Sequence, residues 1–266
     1  MARRALHERR IGHTGTLDPF ASGLLLLCVG QATRLAEYFG DLRKSYSATA
    51  RFDGRSPTDD ATGAIAISDA ATRLTAAAVR AALRSQVGSI AQLPSAYSAK
   101  KIAGERAYDI ARRGELPDLA PVPVTIYDIR ITAIKLPIVH FEVDCASGTY
   151  VRAIARDAGA TLGTGGYLTA LRRTAIGPYD VAAAVSVDQL IDTECVQRAA
   201  VTMRDALKHM NAVIVDEAEE QAIRFGQTIE HAGTEGTVAL VRDGELIAIA
   251  SCDGARIKPK KVFPRD

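Results

Sequence analysis

The sequence contains no tryptophan and few cysteines, and its aromatic residues make up only 5% of the 266 positions. The four cysteines are Cys28, Cys145, Cys195 and Cys252. They are too far apart to form the close pairs that are typical of zinc sites or redox couples. We therefore expect each cysteine to be a small core residue and predict no metal site.

Long hydrophobic runs are also missing. The longest apolar run is residues 24–29, whereas a membrane-spanning helix needs about 20 such residues. No apolar segment at the N-terminus reads as a signal peptide. With 47% hydrophobic and 24% charged residues, the composition is that of an ordinary globular protein of one or two domains. We therefore expect a cytoplasmic protein with no membrane association.

The net charge is only +2, which does not by itself indicate a nucleic-acid partner. The charge is unevenly distributed, however. Basic residues predominate in residues 1–10, 99–113 and 256–265, whereas residues 216–235 are mainly acidic. Such charged runs usually form solvent-exposed surfaces. The charge alone therefore does not predict that the three basic segments bind phosphate, and further sequence features are needed for that prediction.

The periodicity predicts alternating strands and helices with no internal repeat. The predicted strands are residues 23–29, 45–52, 123–134 and 139–145, and the predicted helices are residues 31–39, 73–87, 150–162 and 187–208. From Asn211 onward, short apolar runs separated by glycines predict a small β module. Within it, Asp243-Gly244 predicts the turn of a hairpin. The fold class is α+β.

One glycine-rich segment, GHTGTLDPFASG at residues 12–23, carries a single carboxylate, Asp18. An aspartate before a proline is a common start of a turn, which is one interpretation. The other is a carboxylate held in a defined direction, since Pro19 restricts the backbone of Asp18 and the glycines permit unusual conformations. A cofactor-free nucleophilic enzyme needs such a group.

This segment and those that follow it closely resemble the signature of TruB-type tRNA pseudouridine-55 synthases. Further matching segments follow in order: VGQATR at 29–34, KSY at 44–46, GRSPTDDATG at 54–63, PSAYSAKK at 94–101, SGTYVR at 147–152 and LRRT at 171–174. The matches extend over residues 12–180, far more than a single short motif.

The resemblance implies a mixed, largely antiparallel central sheet with flanking helices. The catalytic domain would be residues 1–208, with an RNA-clamping insertion at about 89–120. A PUA-like RNA-binding domain would follow at residues 209–266, where the match is looser.

The resemblance also implies the chemistry. The enzyme would isomerise the uridine at position 55 of the tRNA TΨC loop without a cofactor: the glycosidic bond breaks, the base rotates, and C5 bonds to the ribose. Asp18 matches the catalytic nucleophile, Arg152 its paired arginine, and Tyr46 the tyrosine that stacks on the target base. Tyr150 and Leu171 match positions that line the uracil pocket. By pattern alone, Tyr46, Tyr150 and Leu171 would be core residues and Arg152 a surface ion-pair residue.

A stacked uridine must leave the RNA before it reacts. His13 matches the histidine that fills the vacated position, and Tyr97, Lys100 and Lys101 are predicted RNA contacts in the insertion. The partner would be the TΨC stem-loop of tRNA, with no obligate protein partner. The sequence departs from the family pattern at its N-terminus, because only eleven residues precede Gly12, and the family's first strand and Lys-Pro motif are absent.

Three alternatives to an active synthase remain. The chain could be a non-catalytic tRNA-binding or folding-chaperone protein, or a truncated and inactive synthase. A glycoside hydrolase that pairs Asp18 with Asp59 or Asp60 would need two carboxylates within about 10 Å of each other. The joint presence of Asp18, Tyr46 and Arg152 favours the active synthase, since a binding protein has no physical need for these three residues.

Overall fold

The computed structural model describes residues 1–98, 100–102, 104–115, 117–232 and 234–264, apart from the side chains of Lys101 and Arg106. The chain forms two compact units. The first comprises residues 1–14, 26–39 and 185–266, and the second comprises residues 15–25 and 40–184. Mixed helices and strands confirm the predicted α+β class.

The elements are as follows in chain order. The strands are β1 (Ile11–His13), β2 (Ser22–Gly23), β3 (Leu27–Val29), β4 (Lys44–Arg51), β5 (Gly54–Arg55), β6 (Ala66–Ile67), β7 (Gly88–Gln92), β8 (Lys101–Ile102), β9 (Glu105–Arg106), β10 (Val122–Lys135), β11 (Ile138–Cys145), β12 (Tyr167–Ile176), β13 (Tyr179–Asp180), β14 (Ala212–Ile214), β15 (Ile229–Glu230), β16 (Gly236–Arg242), β17 (Glu245–Cys252) and β18 (Arg256–Val262). The α-helices are α1 (Ala2–Ala5), α2 (Ala76–Arg84), α3 (Ala107–Arg112), α4 (Val151–Leu162), α5 (Thr193–Ala199), α6 (Met203–Ala206) and α7 (Glu217–Arg224). The 3₁₀ helices are Gly30–Phe39, Asp69–Arg73, Val181–Ala183 and Asp188–Ile191.

The second unit is built on a sheet in the order β13-β12-β4-β11-β10-β7, with antiparallel neighbours throughout this path. Strand β2 adds to β12 in parallel. The central strand β4 alternates as its sequence predicts, since Ala48, Ala50 and Phe52 are buried in the core. The sheet therefore confirms the mixed, largely antiparallel prediction.

Helix α4 packs at very short range against residues 165–166, which lead into β12. An ideal Cβ on Gly159 would lie 2.1 Å from the backbone carbon of Gly165, and one on Gly166 would lie 2.2 Å from the Ala155 carbonyl oxygen. Only glycine fits at such a close approach. The helix ends as predicted at Gly163, which adopts the left-handed conformation with φ 72°. The start of α4 thus has a fixed place relative to the sheet.

The first unit contains a five-stranded sheet in the order β14-β16-β17-β18-β15. Its hairpin β16–β17 turns at Asp243 and Gly244, which both have positive φ (52° and 82°), as the Asp-Gly signal predicts. The strands bury their own core with helix α7, whose residue Ile223 is fully buried. The prediction of a β module after Asn211 is confirmed.

The helical character predicted for residues 187–208 is confirmed, in the short helices Asp188–Ile191, α5 and α6. Two other secondary-structure predictions are wrong in part. Residues 23–29 do not form one strand: β2 ends at Gly23, β3 begins at Leu27, and the chain between them is irregular because Gly23 takes a positive φ of 103°. The predicted helix at 73–87 is confined to Ala76–Arg84, where Thr75 caps its first turn.

The two compact units do not coincide with the predicted domains. Residues 185–208 and two N-terminal segments belong to the same unit as residues 209–266. The first residues of the predicted insertion, 89–120, belong to strand β7 of the main sheet. The domain boundary between residues 208 and 209 and the RNA-clamping insertion at residues 89–120 stay predictions. Among the described residues, no helix has the length and apolar character to cross a membrane.

Candidate active site

The loop that carries Asp18 is closed at its base and anchored on both sides. The loop comprises residues 15–25, and its neighbours Thr14 and Leu26 both belong to the first unit. The backbone N–H of Thr14 donates a hydrogen bond to the Leu26 carbonyl (3.2 Å). The predicted turn is confirmed, since Ala21 N donates to the Asp18 carbonyl (2.9 Å). At Gly23, a Cβ would lie 2.2 Å from the Arg173 carbonyl oxygen. Gly23 is therefore required by close approach.

Asp18 forms a bidentate ion pair with Arg152 on helix α4. Arg152 Nε donates to Oδ2 at 2.8 Å, and Nη2 donates to Oδ1 at 3.0 Å. The Arg152 side chain is 3% exposed, so that the pattern-only interpretation of a surface ion pair is wrong. The Asp18 side chain is 30% exposed and remains accessible to a ligand. The pair fixes the carboxylate in direction without burying it.

The rest of the Arg152 guanidinium is satisfied by two other segments of the chain, one at Thr58 and one at Ser95 and Tyr97. Nη1 donates to the Thr58 carbonyl (2.7 Å) and to Ser95 Oγ (3.2 Å), and Nη2 donates to the Tyr97 carbonyl (2.9 Å). Five donors in a planar fork thus bind groups on separate loops. Arg152 is the point at which these loops meet the carboxylate of Asp18.

The segment GRSPTDDATG supports Arg152 through two buried aspartates. Asp60 accepts hydrogen bonds from Thr58 Oγ1 (2.7 Å) and the Thr62 backbone (3.0 Å), and its Oδ2 lies 3.4 Å from Arg152 Nη1. Asp59 pairs with Arg156, one helical turn after Arg152 (3.1 Å), and burial raises the pKa of its carboxyl. Both carboxylates are used in positioning α4.

Tyr46 lies on β4 directly opposite Arg173 of β12, and it is half-buried. Burial raises the pKa of Tyr46, and Cys145 and Asp18 act in the same direction, whereas Arg173 lowers it. The predicted placement of Tyr46 on the target base stays a prediction.

Tyr150 and Leu171 lie on the elements that hold the site. Tyr150 is the N-cap of α4, and its backbone is bracketed by the Gln92 side chain, which accepts from Tyr150 N (2.8 Å) and donates to its carbonyl (3.2 Å). Leu171 pairs with Ala48 on the sheet and is 6% exposed. Leu171 is therefore a core residue in the structure, and its predicted contact with uracil stays a prediction.

Of the remaining predicted site residues, Tyr97 contacts Arg152 through its backbone carbonyl. His13 is exposed in strand β1 of the first unit. Tyr97 contacts Tyr108 edge to face, with ring centroids 6.5 Å apart, and Lys100 is half-buried. Lys101 belongs to β8, and its side chain lies outside the described part of the structure. The predicted RNA contacts of these residues stay predictions.

Sequence reasoning missed four residues that hold the site: Gln92, Ser95, Thr58 and Arg173. Ser95 and Thr58 stand inside matched segments, which was a usable signal, but Gln92 lies outside them. Within the described ranges, no group of three or more histidine, cysteine or acidic side chains could hold a metal ion.

Comparison with known proteins identifies the family. A family model described as "TruB family pseudouridylate synthase (N terminal domain)" matches residues 3–151, and one described as "tRNA pseudouridylate synthase B C-terminal domain" matches residues 152–215.

Among curated proteins, the chain is 41% identical to tRNA pseudouridine synthase B of Arthrobacter sp. (strain FB24), over 98% of this chain and 90% of that protein. It is 42% identical to the protein of the same name from Mycolicibacterium paratuberculosis (strain ATCC BAA-968 / K-10), over 96% and 88%. A solved structure titled "Structure of H/ACA RNP bound to a substrate RNA containing 2'-deoxyuridine" has the same fold, with a TM-score of 0.75 over 99% of this chain and 80% of that chain at 22% identity. The chain therefore belongs to the TruB family and is an isomerase, a pseudouridylate synthase.

Proposed function

We propose that the protein converts the uridine at position 55 of the tRNA TΨC loop to pseudouridine, with Asp18 as the nucleophile. The observation that carries the proposal is the bidentate Asp18–Arg152 pair, in which a buried arginine holds a partly exposed carboxylate. The names of the curated relatives, each a tRNA pseudouridine synthase B, support tRNA as the substrate.

The proposed reaction balances without an oxidant, a reductant or a metal ion. Asp18 attacks the flipped nucleotide, the bond between N1 and the ribose C1′ breaks, and the base rotates while held in the site. C5 then bonds to C1′, the bond between Asp18 and the nucleotide breaks and frees the carboxylate, the proton of C5 leaves to solvent, and N1 takes up a proton. Tyr46 stacks on the base beside Asp18, and Tyr150 and Leu171 line the uracil pocket.

RNA recognition belongs to the same proposal. His13 fills the stack that the uridine leaves, and Tyr97, Lys100 and Lys101 contact the RNA arm. Binding by shape and by phosphate contacts is usual for structured RNA. A cytoplasmic location follows from a tRNA substrate.

The test is release of tritium from a tRNA transcript labelled at uridine C5, with wild type, Asp18→Asn and the exposed control Asp41→Asn. We expect release by wild type and Asp41→Asn, and a rate at least about a thousandfold lower for Asp18→Asn. RNA affinity should change less than threefold in all three, by filter binding, because Asp18 acts on the reacting nucleotide.

The position is tested with a second transcript in which cytidine replaces uridine 55. We expect no release from this transcript. Normal turnover by Asp18→Asn would contradict the nucleophile assignment, and release from the cytidine transcript would contradict the position. Binding without release by wild type would favour a non-catalytic RNA-binding protein.

A further inference from the structure

Arg173 is a buried cation for which no acidic partner is found among the described residues. Its residue exposure is 1%, yet no carboxylate in the described ranges forms an ion pair with it. Burying an unpaired charge is costly, and an apolar side chain would fill such a site at lower cost. The position of this charge therefore calls for an explanation beyond packing.

The hydrogen bonds of Arg173 go to the loop that carries Asp18. Nε donates to the Leu24 carbonyl (2.8 Å), Nη1 to the Thr16 carbonyl (3.3 Å) and Nη2 to the Gly15 carbonyl (3.3 Å). The three carbonyls lie on both sides of Asp18 in the chain. One side chain thus holds the two arms of the loop together.

The backbone of Arg173 binds the same loop. Its carbonyl accepts from Leu24 N (2.8 Å), and Arg173 pairs with Gly23 where β2 lies beside β12. Arg173 also pairs with Tyr46 across the sheet and lowers the pKa of its phenol. Arg173 therefore contacts both the nucleophile's loop and the strand of the tyrosine, and does not itself bind Asp18 among the described contacts.

We propose that Arg173 is a positioning residue of the reaction, a proposal that rests on the proposed function. It binds three carbonyls of the Asp18 loop and pairs with Tyr46 across the sheet, and it thereby sets the placement of Asp18 relative to Tyr46.

The charges around Tyr46 come from four elements. Arg173 on β12 lowers its pKa, while Cys145 on β11 and Asp18 on the loop raise it. Lys44 on β4 lies close enough to Arg173 for the two charges to interact, and its own pKa is lowered by burial and then by Arg173. Replacement of Arg173 removes the main influence that opposes burial, so that the pKa of Tyr46 rises further.

The experiment compares Arg173→Gln, Arg173→Lys and the exposed control Arg84→Gln. Single-turnover rates and RNA affinity are measured on the labelled transcript, and Tyr46 is titrated by NMR with ¹³Cζ-tyrosine, its signal assigned through Tyr46→Phe. For Arg173→Gln we expect a rate at least about a hundredfold lower, an RNA affinity within threefold, and a pKa of Tyr46 raised by about one unit or more.

Arg173→Lys keeps the charge but lacks the fork. We expect the pKa of Tyr46 in Arg173→Lys to lie close to that in wild type, whereas the single-turnover rate of this variant should stay below the wild-type rate. The Arg84→Gln control should match wild type in rate, affinity and titration.

Three results would overturn the proposal: an unchanged rate in folded Arg173→Gln, an unchanged titration of Tyr46, or failure of both Arg173 variants to fold, which would make Arg173 a residue of the fold as a whole. The titration does not depend on turnover. If wild type forms no pseudouridine but the Tyr46 shift is found, the proposed function fails while the contact between Arg173 and Tyr46 stands.

Discussion

Arg152 has a side chain whose geometry no other residue can reproduce at this position. Its five N–H donors reach Asp18, Thr58, Ser95 and Tyr97. A lysine keeps the charge but offers a single nitrogen without a planar fork. A lysine at position 152 would therefore not hold both carboxylate oxygens of Asp18 in place.

We expect Arg152→Lys to lower the rate of pseudouridine formation at least about a hundredfold, since a misplacement of about 1 Å can cost that much. Arg80→Lys, on the exposed face of α2, is the matched control and should retain the wild-type rate. Single-turnover measurements at saturating RNA would show the difference. A lysine variant as fast as the control would mean that charge alone suffices.

Asp59 is expected to make stability depend on pH. Burial raises the pKa of its carboxyl above that of the unfolded chain, so that the folded state binds the extra proton. This contribution to the free energy of unfolding is fully present below about pH 4 and is lost as the pH rises through the raised value. Relative to Asp59→Asn, wild type should therefore become less stable as the pH increases.

Urea unfolding of wild type and Asp59→Asn from pH 4 to 7 tests this sign. The two proteins share every other titrating group, so that the difference between their free energies reports on Asp59 alone. A difference that stays constant, or that grows in favour of wild type with rising pH, would contradict the expectation.

At the scale of elements, helix α4 organises the site from its first turn. Tyr150 caps it, Arg152 binds the Asp18 loop, and Arg156 binds Asp59 and the Leu93 carbonyl (2.7 Å). The helix is also packed closely against the turn that leads into β12, because Gly159 has no side chain to hold residues 165–166 away.

We expect Gly159→Ala to lower the free energy of unfolding by about 3 kcal/mol, because its Cβ would overlap backbone atoms of Gly165 and Gly166 that cannot move aside. Ala160→Ser, on the exposed side of the same helix, should change it by about 0.5 kcal/mol or less. Denaturant unfolding measures both. Equal stability of the two variants would show that α4 can shift without cost.

The elements differ in how well the sequence predicts them. Strand β4, helix α4 and the β16–β17 hairpin follow from local signals: alternation, an apolar stripe ending at Gly163, and Asp243-Gly244. The break between β2 and β3 could not be predicted from its apolar run, because contact of Gly23 with the Arg173 backbone decides it. The same holds for Gln92 and Arg173, whose partners are distant in sequence.

At the scale of the whole molecule, many charges of the basic segments are already paired. Arg113 binds Glu105 and Glu115, Arg256 lies near Asp253, and Lys261 binds Glu37. Arg112 stacks on Tyr108 instead. Of the predicted basic tail, Arg265 lies outside the described residues, and within the described ranges no ion pair is found for the exposed Lys258 and Lys260.

These two lysines are therefore the cations of the tail best placed to bind phosphate. Each phosphate contact that is lost should lower the slope of log affinity against log salt by about one. We expect Lys258→Gln with Lys260→Gln to weaken tRNA binding and lower the slope by about two, with no change in the chemical step. Filter binding from 50 to 300 mM salt measures this.

Arg113→Gln is the control, a cation that already has acidic partners, and should leave the slope nearly unchanged. A double lysine variant with the slope of wild type would place the RNA away from this face of β18.

The hydrogen bond between Thr14 and Leu26 has a consequence for protein engineering. It brings together the two ends of an eleven-residue loop, residues 15–25. Because the ends are close together, we expect that this loop can be exchanged between relatives without altering the chain on either side. The exchange has one condition. Arg173 must be transferred with the loop, because its side chain donates hydrogen bonds to three carbonyls of the loop. Recombination at the loop ends alone would separate the loop from this arginine.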